Sequence, residues 1–222
     1  MNASLLQRTP SLSVSTEDNE LKIQWEGGNN SPDDGWILQY SVDGSPVQQI
    51  QIEGSNTTSL YPVTPDCVYS FNLLTAKEEM VIGGSLHYTA PASKPFSGYG
   101  ASADRISFNM CRTPSFTGWD RYDLSSSDYT TDFEVGEKAS FLVRLRNEYD
   151  TSPDNIVTQY VIRDEAGNIV STAYEEGTWT SMWYRNYGEF DIPSLPSAEG
   201  KYKISIYFNG DLAGEVNFTV SE

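Results

Sequence analysis

The chain has 222 residues, enough for one large domain or two ordinary ones, each with its own core. With 38% hydrophobic and 13% aromatic residues it is too apolar for wholesale disorder, and no apolar run approaches the length of a membrane-spanning helix. A net charge of −17 repels nucleic acid and anionic membrane surfaces, which excludes both as partners and leaves cations, basic proteins and neutral glycans.

Fourteen Tyr and nine Phe among many Val, Ile, Ser and Thr favour strands. Residues 1–6, Met-Asn-Ala-Ser-Leu-Leu, lack the charged-then-apolar layout of a signal peptide, so an export signal is expected outside this chain. The two cysteines, Cys67 and Cys111, fall in different predicted domains and are expected as reduced, half-buried thiols.

In chain order, Ser11–Thr16 alternates with Leu12 and Val14 on one face. Glu20–Glu26 follows with Leu21, Ile23 and Trp25 aligned. Residues 27–35 form a polar, turn-rich loop rich in Gly, Asn and Asp. Trp36, Leu38, Tyr40 and Val42 then alternate, Asp43-Gly44 signals a hairpin, and Val47–Glu53 returns. Pro65 and Asp66 break the next segment before Tyr69, Phe71 and Leu73 fall on one face of a long strand. Lys77–Met80 reads as a loop, and Ser85–Thr89 closes a set of seven short strands. The spacing Val63-x-Pro65-x-x-x-Tyr69 marks a tyrosine corner, in which the phenol bonds back to the upstream backbone.

Residues 11–90, about a third of the chain, resemble a fibronectin type III domain. Trp25 on the second strand, the Trp36-Ile37-Leu38-Gln39-Tyr40 third strand and the Val63-Thr64-Pro65…Tyr69 corner carry that resemblance. It implies a seven-stranded sandwich serving as a spacer or binding module, not chemistry. The chain has no Arg-Gly-Asp, so integrin-type adhesion is not implied.

Composition places the domains at 1–91 and 105–222, with 92–104 between them. That connection is too short and aromatic for a free linker, and Phe96 and Tyr99 are expected to dock on a neighbour. Beyond it Ile106, Phe108 and Met110 alternate, and a long polar loop carries Phe116, Trp119 and Tyr122 as loop anchors. Residues 133–137 give a strand and turn, and Ala139, Phe141, Val143 and Leu145 sit near a core. Ile156–Arg163 is a strand that turns at residues 164–168 into Ile169-Val170. Last, Tyr202, Ile204, Ile206 and Phe208 oppose Lys203, Ser205 and Tyr207, Asn209-Gly210 turns the chain, and Val216, Phe218 and Val220 return. This final hairpin is expected to centre the second sandwich. The unit is similar to immunoglobulin-like bacterial surface domains through Phe133-x-Val135-Gly136-Glu137, Val143-x-Leu145-x-Asn147 and Gly200-x-Tyr202. That likeness implies an extracellular or cell-surface location in a bacterium. The expected fold class is therefore all-β, two tandem β-sandwiches.

Nothing in the pattern points to catalysis. The one histidine, His87, falls on the closing strand of the first domain and reads as a surface residue, and no zincin, serine-hydrolase or phosphate-loop motif occurs. The chain is expected not to be an enzyme and to need no cofactor. Calcium has two candidate loops, Asp150 with Asp154 and Asn155, and Asp120 with Asp123 and Asp128, neither with a complete ligand spacing. Asn56-Thr57-Thr58 and Asn217-Phe218-Thr219 match glycosylation sequons, which matter only in a eukaryotic source.

The aromatic run at residues 178–187 is the candidate binding site. On one strand Trp179 and Trp183 would share a face roughly 13 Å apart. Large rings are mostly buried, so core packing is the first expectation for them. The functional alternative is a platform for sugar rings, with Trp179, Trp183, Tyr184, Arg185 and Tyr187 as ligand-binding residues. The chain is thus read as a monomeric spacer or adhesion module for a glycan or surface protein, or as a carbohydrate-binding accessory of a larger secreted enzyme.

Overall fold

The computed structural model describes residues 10–28, 30, 32–77, 81–96, 106–112, 129–146, 156–177, 180–182, 185–192 and 195–222. The chain forms two compact units, Met1–Ala92 and Ser93–Glu222. Among the described residues both are built from strands, with a single 3-10 turn at Pro32–Asp34.

Among its described residues the first unit has seven strands: β1 (Ser11–Glu17), β2 (Glu20–Glu26), β3 (Trp36–Val42), β4 (Gln48–Ile52), β5 (Thr57–Leu60), β6 (Val68–Thr75) and β7 (Val81–Thr89). They form one sheet in the order β1-β2-β5 and another in the order β4-β3-β6-β7, antiparallel throughout. Period-two alternation fills the space between them. Leu21, Ile23 and Trp25 come from one sheet, and Trp36, Leu38, Tyr69, Phe71 and Leu73 from the other, all buried. Trp25 and Trp36 meet edge to face across the gap, ring centroids 6.2 Å apart. One margin is tied by a hydrogen bond of 2.8 Å between the Thr16 and Tyr88 hydroxyls.

Two turn signals have the expected geometry. Asp43 and Gly44 both take left-handed backbone, φ 44° and 74°, as a tight hairpin turn requires. The Asp43 carboxylate also accepts the Val68 N–H at 2.7 Å, joining that turn to the start of β6. At the corner, the Thr64 N–H donates to the Tyr69 hydroxyl at 2.8 Å, and burial pushes the Tyr69 phenol above its ordinary pKa. Replacing Tyr69 with Phe removes that acceptor from the buried N–H. The expected cost is about 1–3 kcal/mol, read as a lower urea midpoint at unchanged slope. No change in midpoint would mean the corner adds nothing to stability.

β7 is longer than its pattern. It begins at Val81, four residues before the Ser85 start that alternation indicates, and it carries a bulge at Gly84. Gly84 has φ 78°, and the β6–β7 register shifts between Phe71 and Leu73.

The second unit contains β8 (Ile106–Arg112), β9 (Asp132–Glu134), β10 (Ala139–Arg146), β11 (Ile156–Asp164), β12 (Ile169–Gly177), β13 (Thr180–Met182), β14 (Arg185–Ile192), β15 (Gly200–Phe208) and β16 (Asp211–Ser221). One sheet runs β13-β14-β10-β8 and the other β12-β11-β15-β16-β9, where β9 pairs with β16 in parallel. The β15–β16 hairpin does centre the core. Ile204, Ile206, Phe208, Phe218 and Val220 pack there with Tyr160, Ile162, Phe133 and Met110. Its turn, Asn209-Gly210, again has two left-handed residues, φ 49° and 85°, and the Asn209 side-chain oxygen accepts the Val157 N–H at 2.9 Å. Near the start of β15 the Tyr202 hydroxyl donates to the Ala198 carbonyl at 2.7 Å, a back-bond at the same place in the fold as the Tyr69 corner.

Phe96 docks on a neighbour as expected: it is 6% exposed in the second unit's core, its ring 5.1 Å from Phe208, and its N–H donates to the Leu212 carbonyl at 2.9 Å. Two expectations are revised. Neither cysteine is in a disulfide, and both are buried, not half-buried, with Cys67 at 0% and Cys111 at 2% exposure. β12 extends to Gly177, well past Ile169-Val170, because Ser171–Glu176 reads as polar yet pairs with β11 along its length.

Candidate functional site

Of the aromatic run, the described residues hold only the strands. β13 pairs with β14 through Thr180–Tyr187, Ser181–Asn186 and Met182–Arg185. Arg185 and Tyr187 therefore lie on the backbone of β14, next to β10 in the four-stranded sheet. Trp179, Trp183 and Tyr184 lie outside the described residues. So do Phe116, Trp119, Tyr122 and Tyr99, and both calcium candidates, Asp120, Asp123 and Asp128 and Asp150, Asp154 and Asn155. Among the described residues no three His, Cys, Asp or Glu side chains gather as a metal site. His87 sits exposed on β7, its Nδ1 2.9 Å from the Ser70 hydroxyl.

The described concavity lies elsewhere in the second unit. A cleft of about 560 Å³ opens where β11 turns into β12, beside the start of β15 and the end of β16. Strand register builds it. Arg163 of β11 is opposite Lys203 of β15, and Lys203 is opposite Asn217 of β16. Lys201 is opposite Thr219 one step further along the same face. These side chains alternate with Ile162, Tyr202, Ile204 and Phe218, which point into the core, so they belong to the outer face. Thr131 closes one end, and the Asp164–Gly167 turn closes the other. Tyr202 and Phe218 border it in the chain, but their rings, stacked with centroids 5.5 Å apart, are buried on the core side of the sheet.

The turn wall is rigid by its own bonding. The Asp164 carboxylate accepts the Asn168 N–H at 2.8 Å and its amide at 3.0 Å, and these bonds hold the Asp164 carboxyl below the ordinary carboxylate range. The Gly167 carbonyl accepts from Arg163 Nη1 at 2.9 Å, which fixes the guanidinium against the turn. Opposite, the Thr219 hydroxyl donates to the Asp132 carboxylate. One row further along the sheet, Glu215 accepts from Ser205 Oγ at 2.8 Å and pairs with Lys203 Nζ at 2.9 Å. Burial pushes the Glu215 carboxyl up, but those two hydrogen bonds and the charges of Lys203 and Arg163 outweigh it and hold it below the ordinary range. Lys201 pairs with Glu165 at 3.9 Å, with both side chains more than 70% exposed.

No signal at one stretch of sequence marks this cleft. Its cations stand about 40 positions apart, and only the β11–β15 register brings Arg163 beside Lys203. Alternation did show that Lys203 faces away from the core, which is the half of the site readable in advance.

No family model matches the chain, and none of the curated proteins matches it. Among solved structures it is similar to a two-domain fibronectin type III segment of chicken tenascin, at 13% identity and TM-score 0.36, covering 97% of this chain and 100% of that one. It is also similar to an immunoglobulin-like protein from Pseudomonas aeruginosa, at 11% identity and TM-score 0.31, covering 52% of this chain and 91% of that one. A third similarity is to an alkylpurine DNA glycosylase of Pseudomonas fluorescens, at 15% identity and TM-score 0.30, covering 56% of this chain and 32% of that one. At such values the class rests on the chain's own topology: three strands facing four with a tyrosine corner, then four facing five with a parallel closing pair. The protein is all-β, a tandem of two units that each hold two sheets. Among the described residues no helix is long and apolar enough to cross a membrane.

Proposed function

We propose that the chain is a non-catalytic module pair of a bacterial cell surface or secreted protein, and that its second unit binds a glycan while the first spaces or presents it. The observation that carries binding beyond mere spacing is the cleft of about 560 Å³. Its volume is that of a small-ligand site, and its lining gathers amide, hydroxyl and charged groups on the outer face of the sheet. Those groups match the hydroxyls that a sugar offers around its ring. The same composition favours a carbohydrate-binding accessory of a larger secreted enzyme as the setting. The Trp179 and Trp183 platform, with Tyr184, Arg185 and Tyr187, is a second candidate surface for the same ligand class.

The two surfaces are separated by titrating intrinsic fluorescence with a panel of soluble polysaccharides, using Trp183→Ala and Asn217→Ala in parallel. A saturable response lost in Asn217→Ala and kept in Trp183→Ala assigns the cleft; the reverse assigns the aromatic run. A flat response of the intact chain to the whole panel sinks the glycan reading and leaves a spacer or protein-binding module.

A further inference from the structure

We infer that the first unit joins a second copy of this chain through β4, the two strands pairing antiparallel about a two-fold axis at Ile50. This contact is independent of the cleft and of what the cleft binds. Among the described residues β4 is the last strand of its sheet, with β3 as its inner neighbour. Such an edge leaves a row of N–H and C=O groups that a further strand can use.

Proteins usually blunt an edge with charge, proline, a bulge or brevity. β4 does none of this. Residues 47–52, Val-Gln-Gln-Ile-Gln-Ile, hold no charge and no proline in a chain of net charge −17. The register with β3 runs unbroken from Gln48 to Ile52. The other described edges differ. β1, β8, β9 and β12 each include a charged residue, and β5 and β13 are only four and three residues long. β7 is interrupted by its bulge, and its Tyr88 is bonded to Thr16 of β1. Two acidic chains can therefore meet at β4 without setting acid against acid.

The strand also complements itself. With Ile50 facing its own copy, Gln49 faces Gln51 and Gln48 faces Ile52. On the outer face Gln49 is opposite Gln39 of β3, and Gln39 is opposite Asn72 of β6, whose side-chain oxygen accepts from Ser85 Oγ at 2.5 Å. A row of carboxamides thus crosses the sheet and ends at its open edge. Gln51 of the second copy continues that row, as stacked amides do in extended sheets. On the inner face Ile50 is only half-buried, although Leu38 opposite it is fully buried. A second Ile50 covers the part left open. Glu53, the acid that follows β4, faces Val47, which is 63% exposed. Because each copy uses the same edge, the assembly closes at two chains. One five-residue strand buries little area, so the contact is weak and the dilute chain is the expected monomer.

The test is sedimentation equilibrium of the full chain, from dilute solution to about 1 mM, at low and high salt. The mass is expected to rise toward two chains with concentration, and further at high salt, which screens the repulsion between two acidic chains. Gln49→Glu with Gln51→Glu sets like charges opposite one another twice and is expected to weaken association about tenfold. Gln49→Lys with Gln51→Glu sets opposite charges there and is expected to associate at least as well as the intact chain. Both residues are exposed, so the thermal transition of the first unit is expected to stay in place in either variant. A chain that remains monomeric at every concentration and salt overturns the proposal. So does association that Gln49→Glu with Gln51→Glu leaves unaltered, because the contact then lies elsewhere. Association lost in both double variants overturns the antiparallel pairing, since only parallel strands would set like charges together in each.

Discussion

Replacing Trp36 with alanine is expected to destabilise the first unit by about 3–5 kcal/mol, a large part of the stability of a domain this size. Trp36 is fully buried, and it sits where the two sheets meet, edge to face with Trp25. Its Nε1 donates to the Asn56 side-chain oxygen at 3.2 Å, so the change also strands a half-buried acceptor beside β5. The surroundings cannot collapse around the void. A Cβ placed on Gly27 would stand 2.3 Å from Trp36 Cη2, which shows the loop backbone already pressed against the ring. Calorimetry of the full chain checks this. The transition of the first unit should fall by about 4–8 °C for each kcal/mol lost, while that of the second stays in place. A fall worth less than about 1 kcal/mol would mean that the indole is not part of the core.

How far the fold was legible depended on how many faces of a strand are covered. β2 and β6 have one face toward the core, and there the alternation of Leu21, Ile23 and Trp25 or of Tyr69, Phe71 and Leu73 was enough. β15 is covered on both faces. Ser205 and Tyr207, which alternation assigns to solvent, are as buried as Ile204 and Ile206. Residue type could not reveal this, because Ser and Tyr sit well at a covered face whenever their hydroxyls find partners, as Ser205 does in Glu215. Edge elements failed for a related reason. β5 is Thr-Thr-Ser-Leu and most of β12 is polar, since an edge strand needs to satisfy one neighbour and water.

The candidate site was legible only as chemistry within one stretch. The aromatic run stands out because its residues adjoin in sequence. The cleft joins β11, β15 and β16, and its character depends on a register that a one-residue slip would reverse, sending Arg163 and Lys203 toward the core. Alternation could place each cation on a face, but not beside the others. The turn signals mattered more than they first seemed to, because Asp164–Asn168 both ends β11 and makes the wall that holds Arg163.

Phe208→Ala is the corresponding experiment in the second unit, with an expected loss of about 3–5 kcal/mol. Phe208 is fully buried at the end of β15, and two other parts of the chain lean on its ring. Phe96 meets it edge to face at 5.1 Å, and Phe108 of β8 lies 6.3 Å away. The ring therefore joins the incoming segment at residues 93–96, the four-stranded sheet and the five-stranded sheet. If Phe96 is held by this contact, the two positions must be coupled. A double-mutant cycle with Phe96→Ala is expected to return an interaction of about 0.5–1.5 kcal/mol, measured by denaturant unfolding of the second unit. Additive losses would mean that each ring is buried for its own sake and that residues 93–96 are held instead by their backbone bonds. Those bonds are Phe96 N–H to the Leu212 carbonyl and Leu212 N–H to the Lys94 carbonyl, at 2.9 and 2.7 Å. Coupling at the expected size would make the entry segment part of the cooperative fold of the second unit, and its loss on removing one ring would expose an apolar strip at the very residues that composition assigns to a connection.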